Sequence, residues 1–175
     1  MARGQGCKSG KSQPQAQPRS GDRDERQPRF HVPKVGETIE SGPWEGFEVI
    51  YVYSREQALR DGVIVDVSEI AREAGYRVPV ALTAAVARLV TPTEDEVEEA
   101  WQDYDGRLWD VLWMAKVSGA AQRASHLHEA PFQTIFAIRG RPEWHSGQRT
   151  VDLKITLDST DEGRPALTVI LPSED

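Results

Sequence analysis

Three sets of residues in this 175-residue chain are candidates for a catalytic, metal-binding or partner-binding role. Asp61, Asp66 and Asp110 each lie in an apolar stretch or beside a tight turn, with Arg55, Arg60 and Arg107 near them in sequence. A partly buried carboxyl with a raised pKa works as a general acid or base, so an Asp/Arg pocket would make the chain a small enzyme. The plainer role for such an Asp is a cap, a turn former or half of an ion pair. His126, His128 and His145 are the candidate metal ligands, the first two in Ser125-His126-Leu127-His128-Glu129. Histidines at i and i+2 share a ligand face only where the backbone is extended, and this stretch reads as a solvated loop between a helix and a strand. Trp109 and Trp113 stand at i, i+4 on one helical face, close in sequence to Trp101 and Tyr104. They either pack against the core or form a partner-binding surface, since tryptophan is favoured at interface hot spots.

Other catalytic signatures fail on spacing or context. Gly10-Lys11-Ser12 has the ending of a P-loop, but the glycine needed five residues earlier is Gln5, and neither a strand nor a helix flanks it. The single cysteine, Cys7, excludes an internal disulfide framework and any multi-cysteine metal site. No Gly-x-Ser-x-Gly elbow is present. No cofactor is expected.

The elements that must position these residues follow from charge and periodicity. With 21 Lys and Arg against 28 Asp and Glu, the net charge is −7. Residues 1–29 carry +4 and 30–175 carry −11. The basic segment is rich in Gly, Gln, Ser and Pro and has almost nothing to bury, so 1–43 is expected to be a disordered tail and linker. Residues 44–175 are expected to form one domain with a single core. Seven acidic residues between Glu94 and Asp105, with no Lys or Arg among them, argue against direct nucleic-acid binding by that domain. Weak phosphate contact is left to the basic tail. No apolar run approaches the roughly 20 residues that span a bilayer, and no secretory signal is evident, so a cytoplasmic location is expected.

Phe47–Tyr53, aromatic and β-branched, predicts a strand. Ser54 with Gln57 three residues on predicts a capped helix over Arg55–Arg60, stopped at Asp61-Gly62. Val63–Val67 predicts a short strand, and Ser68 a cap for a helix ending at Gly75. The spacing of Leu82, Ala85, Val86 and Leu89 predicts a helix over Val80–Val90. Thr93 with Glu96 opens an acidic helix that ends near Gln102. Leu108, Val111, Leu112 and Ala115 predict a helix from about Arg107 to Ala121, with Asp105-Gly106 as a possible turn before it. Phe132–Ile138, Thr150–Leu157 and Ala166–Leu171 alternate as strands, the last two joined as an antiparallel hairpin. The expected fold is α+β: a mainly antiparallel sheet, from an N-terminal strand and C-terminal strands, packed against several short helices.

The run from Ile50-Tyr51-Val52-Tyr53-Ser54-Arg55 through Asp66-Val67-Ser68 resembles the opening signature of an uncharacterised bacterial family. Pro79–Thr83, Gly106-Arg107-Leu108-Trp109-Asp110-Val111-Leu112-Trp113-Met114 and the ending Val169–Asp175 resemble it too, so the likeness covers roughly 47–175. That family is a domain of unknown function, often found on plasmids and integrated elements, and it supplies no activity or catalytic residues. The resemblance implies an accessory protein of mobile DNA. Together with the acidic run and the tryptophans, it leads to the expectation of a non-enzymatic protein that binds another protein, in plasmid or phage upkeep or against a host defence. The Asp/Arg enzyme is the alternative.

Overall fold

The computed structural model describes residues 29–137 and 147–174. Gly4–Ser12, Cys7 and His145 lie outside them.

Five strands form one sheet: β1 (Ile64–Asp66), β2 (Val80–Thr83), β3 (Glu129–Ala137), β4 (Gln148–Ser159) and β5 (Pro165–Ile170), in the order β1-β2-β5-β4-β3. Only the β2–β5 pair is parallel. Six helices complete the described chain: α1 (Arg55–Arg60), α2 (Ser68–Glu73), α3 (Ala84–Val90), α4 (Glu94–Ala100), α5 (Tyr104–Val117) and α6 (Ala120–Leu127). The fold is α+β, with a mixed and mostly antiparallel sheet.

The core forms where one face of the sheet meets α2, α3, α5 and α6. Val80 and Leu82, Val169, Leu153 and Ile155, and Phe132 and Phe136 face Ala71, Val86, Leu108, Val111, Leu112 and Ala124. Strand β3 shows the period-two pattern of a half-covered strand, with Ala130, Phe132, Thr134 and Phe136 inward. Thr134 is the exception in chemistry: its hydroxyl is buried with no hydrogen-bond partner among the described residues. On the other face, α1 lies against the sheet through Ala58 and Arg55.

Strand β3 forms one edge of the sheet, and that edge is guarded. Pro131 removes one donor, Arg123 donates to the Pro131 carbonyl (3.2 Å) and Arg107 donates to the Ala137 carbonyl (3.4 Å). Groups otherwise free to template another strand are thus partly blocked.

Several elements differ from the sequence reading. Phe47–Tyr53 is not a strand of the sheet. Its backbone partners come instead from residues 36–39, which turn back onto 47–49: Ile39 N–H donates to Phe47 O, Val49 N–H to Glu37 O, and Gly36 N–H to Val49 O. Val80–Val90 is not one helix. Val80–Thr83 is a strand between β1 and β5, and α3 starts only where the Thr83 hydroxyl accepts the Val86 N–H. Helix α2 starts at Ser68 rather than after it, with Asp66 accepting the Ser68 N–H (3.0 Å). The helix placed over Arg107–Ala121 begins earlier, at Tyr104, and breaks at Ser118-Gly119, where Gly119 takes a left-handed φ of 73°. Asp105-Gly106 lies in its first turn and is no hairpin.

Candidate functional site

Helix α5 holds the tryptophan pair, and three tethers fix its rotation. At its start the Asp103 carboxylate accepts the Gly106 N–H (2.6 Å), which satisfies one of the orphan donors of a helix N-terminus. Tyr76, from the loop after α2, donates its hydroxyl to the Leu112 carbonyl (2.8 Å), and burial pushes that phenol up to about 12. Arg107 is only 3% exposed. Its guanidinium meets Glu96 (3.1 Å), the Gln102 side-chain oxygen (3.3 Å) and the Phe136 ring face, 5.0 Å from the centroid. A buried arginine is tolerable only with such partners. Burial works against the charged form of Glu96, but Arg107 and the Thr93 N–H outweigh it and hold that carboxyl below its usual range.

With Leu108, Val111, Leu112 and Ala115 turned into the core, 3.6-residue periodicity turns Trp109, Trp113 and Val117 outward. Trp109 and Trp113 are 37% and 45% exposed, and their rings lie nearly parallel, 10° apart in plane with centroids 6.2 Å apart. Lys116 donates to the Ala74 carbonyl (2.5 Å) and holds its ammonium 5.8 Å from the Trp113 centroid. Met114 and Val117 extend the patch, half exposed. Asp110 borders it, one turn before Trp113, and desolvation raises its carboxyl above the ordinary range. The arrangement offers a rigid aromatic platform with one cation and one carboxylate at its margin. Trp101 stands elsewhere. It is 85% exposed at the left-handed C-cap of α4 (φ 53°), and among the described residues no ring contact joins it to the pair.

The candidate carboxylates and arginines do not converge. Asp61 caps α1 and accepts the Tyr53 hydroxyl (3.0 Å). Asp66 accepts the N–H and the hydroxyl of Ser68 (3.0 and 2.5 Å). Asp110 is on α5, and Arg107 turns away from it into the core. Arg55 and Asp66 do border one hollow of about 470 Å³. Arg55, however, is committed to Asp158 (2.6 Å), the Thr168 hydroxyl (2.9 Å) and the Leu167 carbonyl (3.3 Å). The two oxygens of Asp161 accept the N–H groups of Arg55 and Glu56 (2.9 and 3.0 Å), which pins α1 to the β4–β5 turn. Asp158 and Asp161 carry no local signal of this role, because their partners are remote in sequence.

A wider hollow of about 710 Å³ opens on the α1 side of the sheet, between Tyr53, Thr83, Thr156 and Ile170. Its Thr83 hydroxyl is held by Glu174 (2.8 Å), which also accepts the Leu171 N–H (2.7 Å).

His126 is exposed on α6, and His128 caps that helix at φ 68° rather than lying in an extended loop. Among the described residues no three His, Cys, Asp or Glu side chains are grouped to hold a metal. Among them, too, no helix is long and apolar enough to cross a membrane.

A family model described as "Family of unknown function (DUF6573)" matches residues 42–175. No curated protein and no solved structure matches the chain.

Proposed function

The chain belongs to that family of unknown function, and we propose that it acts as a non-enzymatic accessory protein, binding another protein through the outward face of α5. The observation that carries this reading is the stacked Trp109–Trp113 pair, left exposed on a helix whose opposite side is fully buried. Exposed large aromatics held rigid by their neighbours lose little entropy on docking and shed water from a broad surface, which is why they dominate binding energetics. The engagement of Asp61, Asp66, Arg55 and Arg107 as caps and ion pairs favours binding over the Asp/Arg enzyme. The setting we propose is a bacterial mobile genetic element, where the protein would serve plasmid or phage upkeep or blunt a host defence. The resemblance to proteins of such elements supports that setting.

The test is quantitative affinity capture from a bacterial host carrying the gene, comparing the natural chain with Trp109→Ala/Trp113→Ala. One protein should be enriched by the natural chain and depleted at least tenfold by the double variant. Equal recovery on both baits would refute the assignment of this face.

A further inference from the structure

A third hollow lies against α2 and the loop that follows it, sharing Ser68 and Pro79 with the hollow that Arg55 and Asp66 border. It measures about 450 Å³ and is lined by Ser68, Arg72, Tyr76, Arg77, Val78 and Pro79. We propose that it binds a small organic oxyanion, a phosphate or carboxylate group carried on an apolar body.

The polar groups left free in the lining decide what it can hold. Ser68 is used up: its hydroxyl donates to Asp66 (2.5 Å) and accepts the Val80 N–H (3.1 Å). Tyr76 is used up as well, since its hydroxyl donates to Leu112 (2.8 Å). The guanidiniums of Arg72 and Arg77 are outside every ion pair and side-chain hydrogen bond found among the described residues. A ligand in this hollow therefore meets cationic donors. A neutral molecule would satisfy them poorly, whereas the planar fork of arginine matches the oxygens of a phosphate or carboxylate in a bidentate way.

Position along α2 supports this. Ser68 and Arg72 are four residues apart and share one side of the helix, while Ile70, Ala71 and Ala74 turn to the core and Glu69 and Glu73 fall on the outer side. The lining of the hollow thus carries two cations and no carboxylate, and the Asp66 carboxylate beside it is held by the N–H and hydroxyl of Ser68, on a domain whose sequence carries −11 over residues 30–175. That overall charge repels a long polyanion such as nucleic acid. A small anion responds chiefly to charges within a Debye length, about 8 Å at physiological salt. Tyr76, Val78 and Pro79 supply an apolar wall, so a bare ion leaves part of the hollow unused. An aryl or branched alkyl oxyanion fills it.

The test uses the full chain, titrated with phenyl phosphate, benzoate, inorganic phosphate and neutral benzyl alcohol, and followed by amide chemical shifts at physiological salt. Phenyl phosphate or benzoate should bind at millimolar concentration or tighter, more tightly than inorganic phosphate, with shifts centred on residues 68–80. The preferred probe of the two identifies the group. Benzyl alcohol should not bind. Arg72→Gln/Arg77→Gln should weaken binding at least tenfold, and each single variant about threefold. Both side chains are exposed, so these variants should keep the natural thermal midpoint. Arg88→Gln makes the same charge change on α3, away from this hollow, and should leave binding within twofold. The proposal is overturned if neither aryl oxyanion binds, if the double variant binds as the natural chain does, or if Arg88→Gln weakens binding equally.

Discussion

The two faces of α5 are made of similar material and meet opposite fates. Leu108, Val111, Leu112 and Ala115 are at most 1% exposed, while Trp109, Trp113 and Val117, interleaved with them in sequence, remain at the surface. Both faces are apolar, so hydrophobicity does not separate them. The neighbours do. The inward face is buried against β3, α3 and α6, and the outward face is fixed in register by Asp103, Tyr76 and Arg107. A helix apolar on both sides either lies within a larger core or keeps one side for a partner.

Four substitutions put this division to the test. Leu112→Ala removes a fully buried side chain and leaves a cavity, so unfolding in denaturant should show a loss of roughly 2–5 kcal/mol. Trp113→Ala should instead cost about 2 kcal/mol of partner affinity, near thirtyfold, with less than about 1 kcal/mol lost in the same unfolding assay. Thr134→Val moves stability in the opposite direction. It deletes a buried hydroxyl that has no partner among the described residues while keeping the side-chain shape, so a gain of about 1 kcal/mol is expected.

The fourth concerns pH. The folded-state pKa of Glu96 is held below its ordinary value of 4.5, so its contribution is present above that value. That contribution is lost as the pH falls through the lower folded-state value. Glu96→Gln should flatten the loss of stability below pH 4.5 in acid titrations. Tyr76 works at the other end of the scale. Its folded-state pKa is raised from 10.0 to about 12, so its contribution is complete below pH 10 and is lost as the pH rises toward 12.

Local signals carried a good part of the fold. The capping boxes Ser54–Gln57 and Thr93–Glu96 mark the starts of α1 and α4 because the side chains that close them lie within one turn. The alternation in β3 and β4 is visible because one face of the sheet is less covered there than the other, whereas β5 is buried on both faces. Strand β2 has no such alternation. It lies between β1 and β5 with Val80, Ala81 and Leu82 all fully buried, and a short apolar run of that kind is indistinguishable from the first turn of the helix that follows it. Phe47–Tyr53 has strand chemistry, but the place of an edge strand beside β2 goes to Ile64–Asp66.

The site divides along the same line. The i, i+4 spacing of Trp109 and Trp113 announced a shared face. That Arg55 belongs to Asp158, and Arg107 to Glu96 and Phe136, depends on packing between elements that no local pattern encodes. That Arg72 and Arg77 have no side-chain partner among the described residues was hidden for the same reason.

The most direct test of the central claim measures two quantities on one variant, Trp109→Ala/Trp113→Ala: its thermal midpoint and its affinity for the captured partner. The claim that this face serves binding predicts a midpoint within a few degrees of the natural chain and an affinity at least tenfold weaker. A midpoint lowered as far as that of Leu112→Ala, with affinity unchanged, would make the tryptophans part of the core and contradict it.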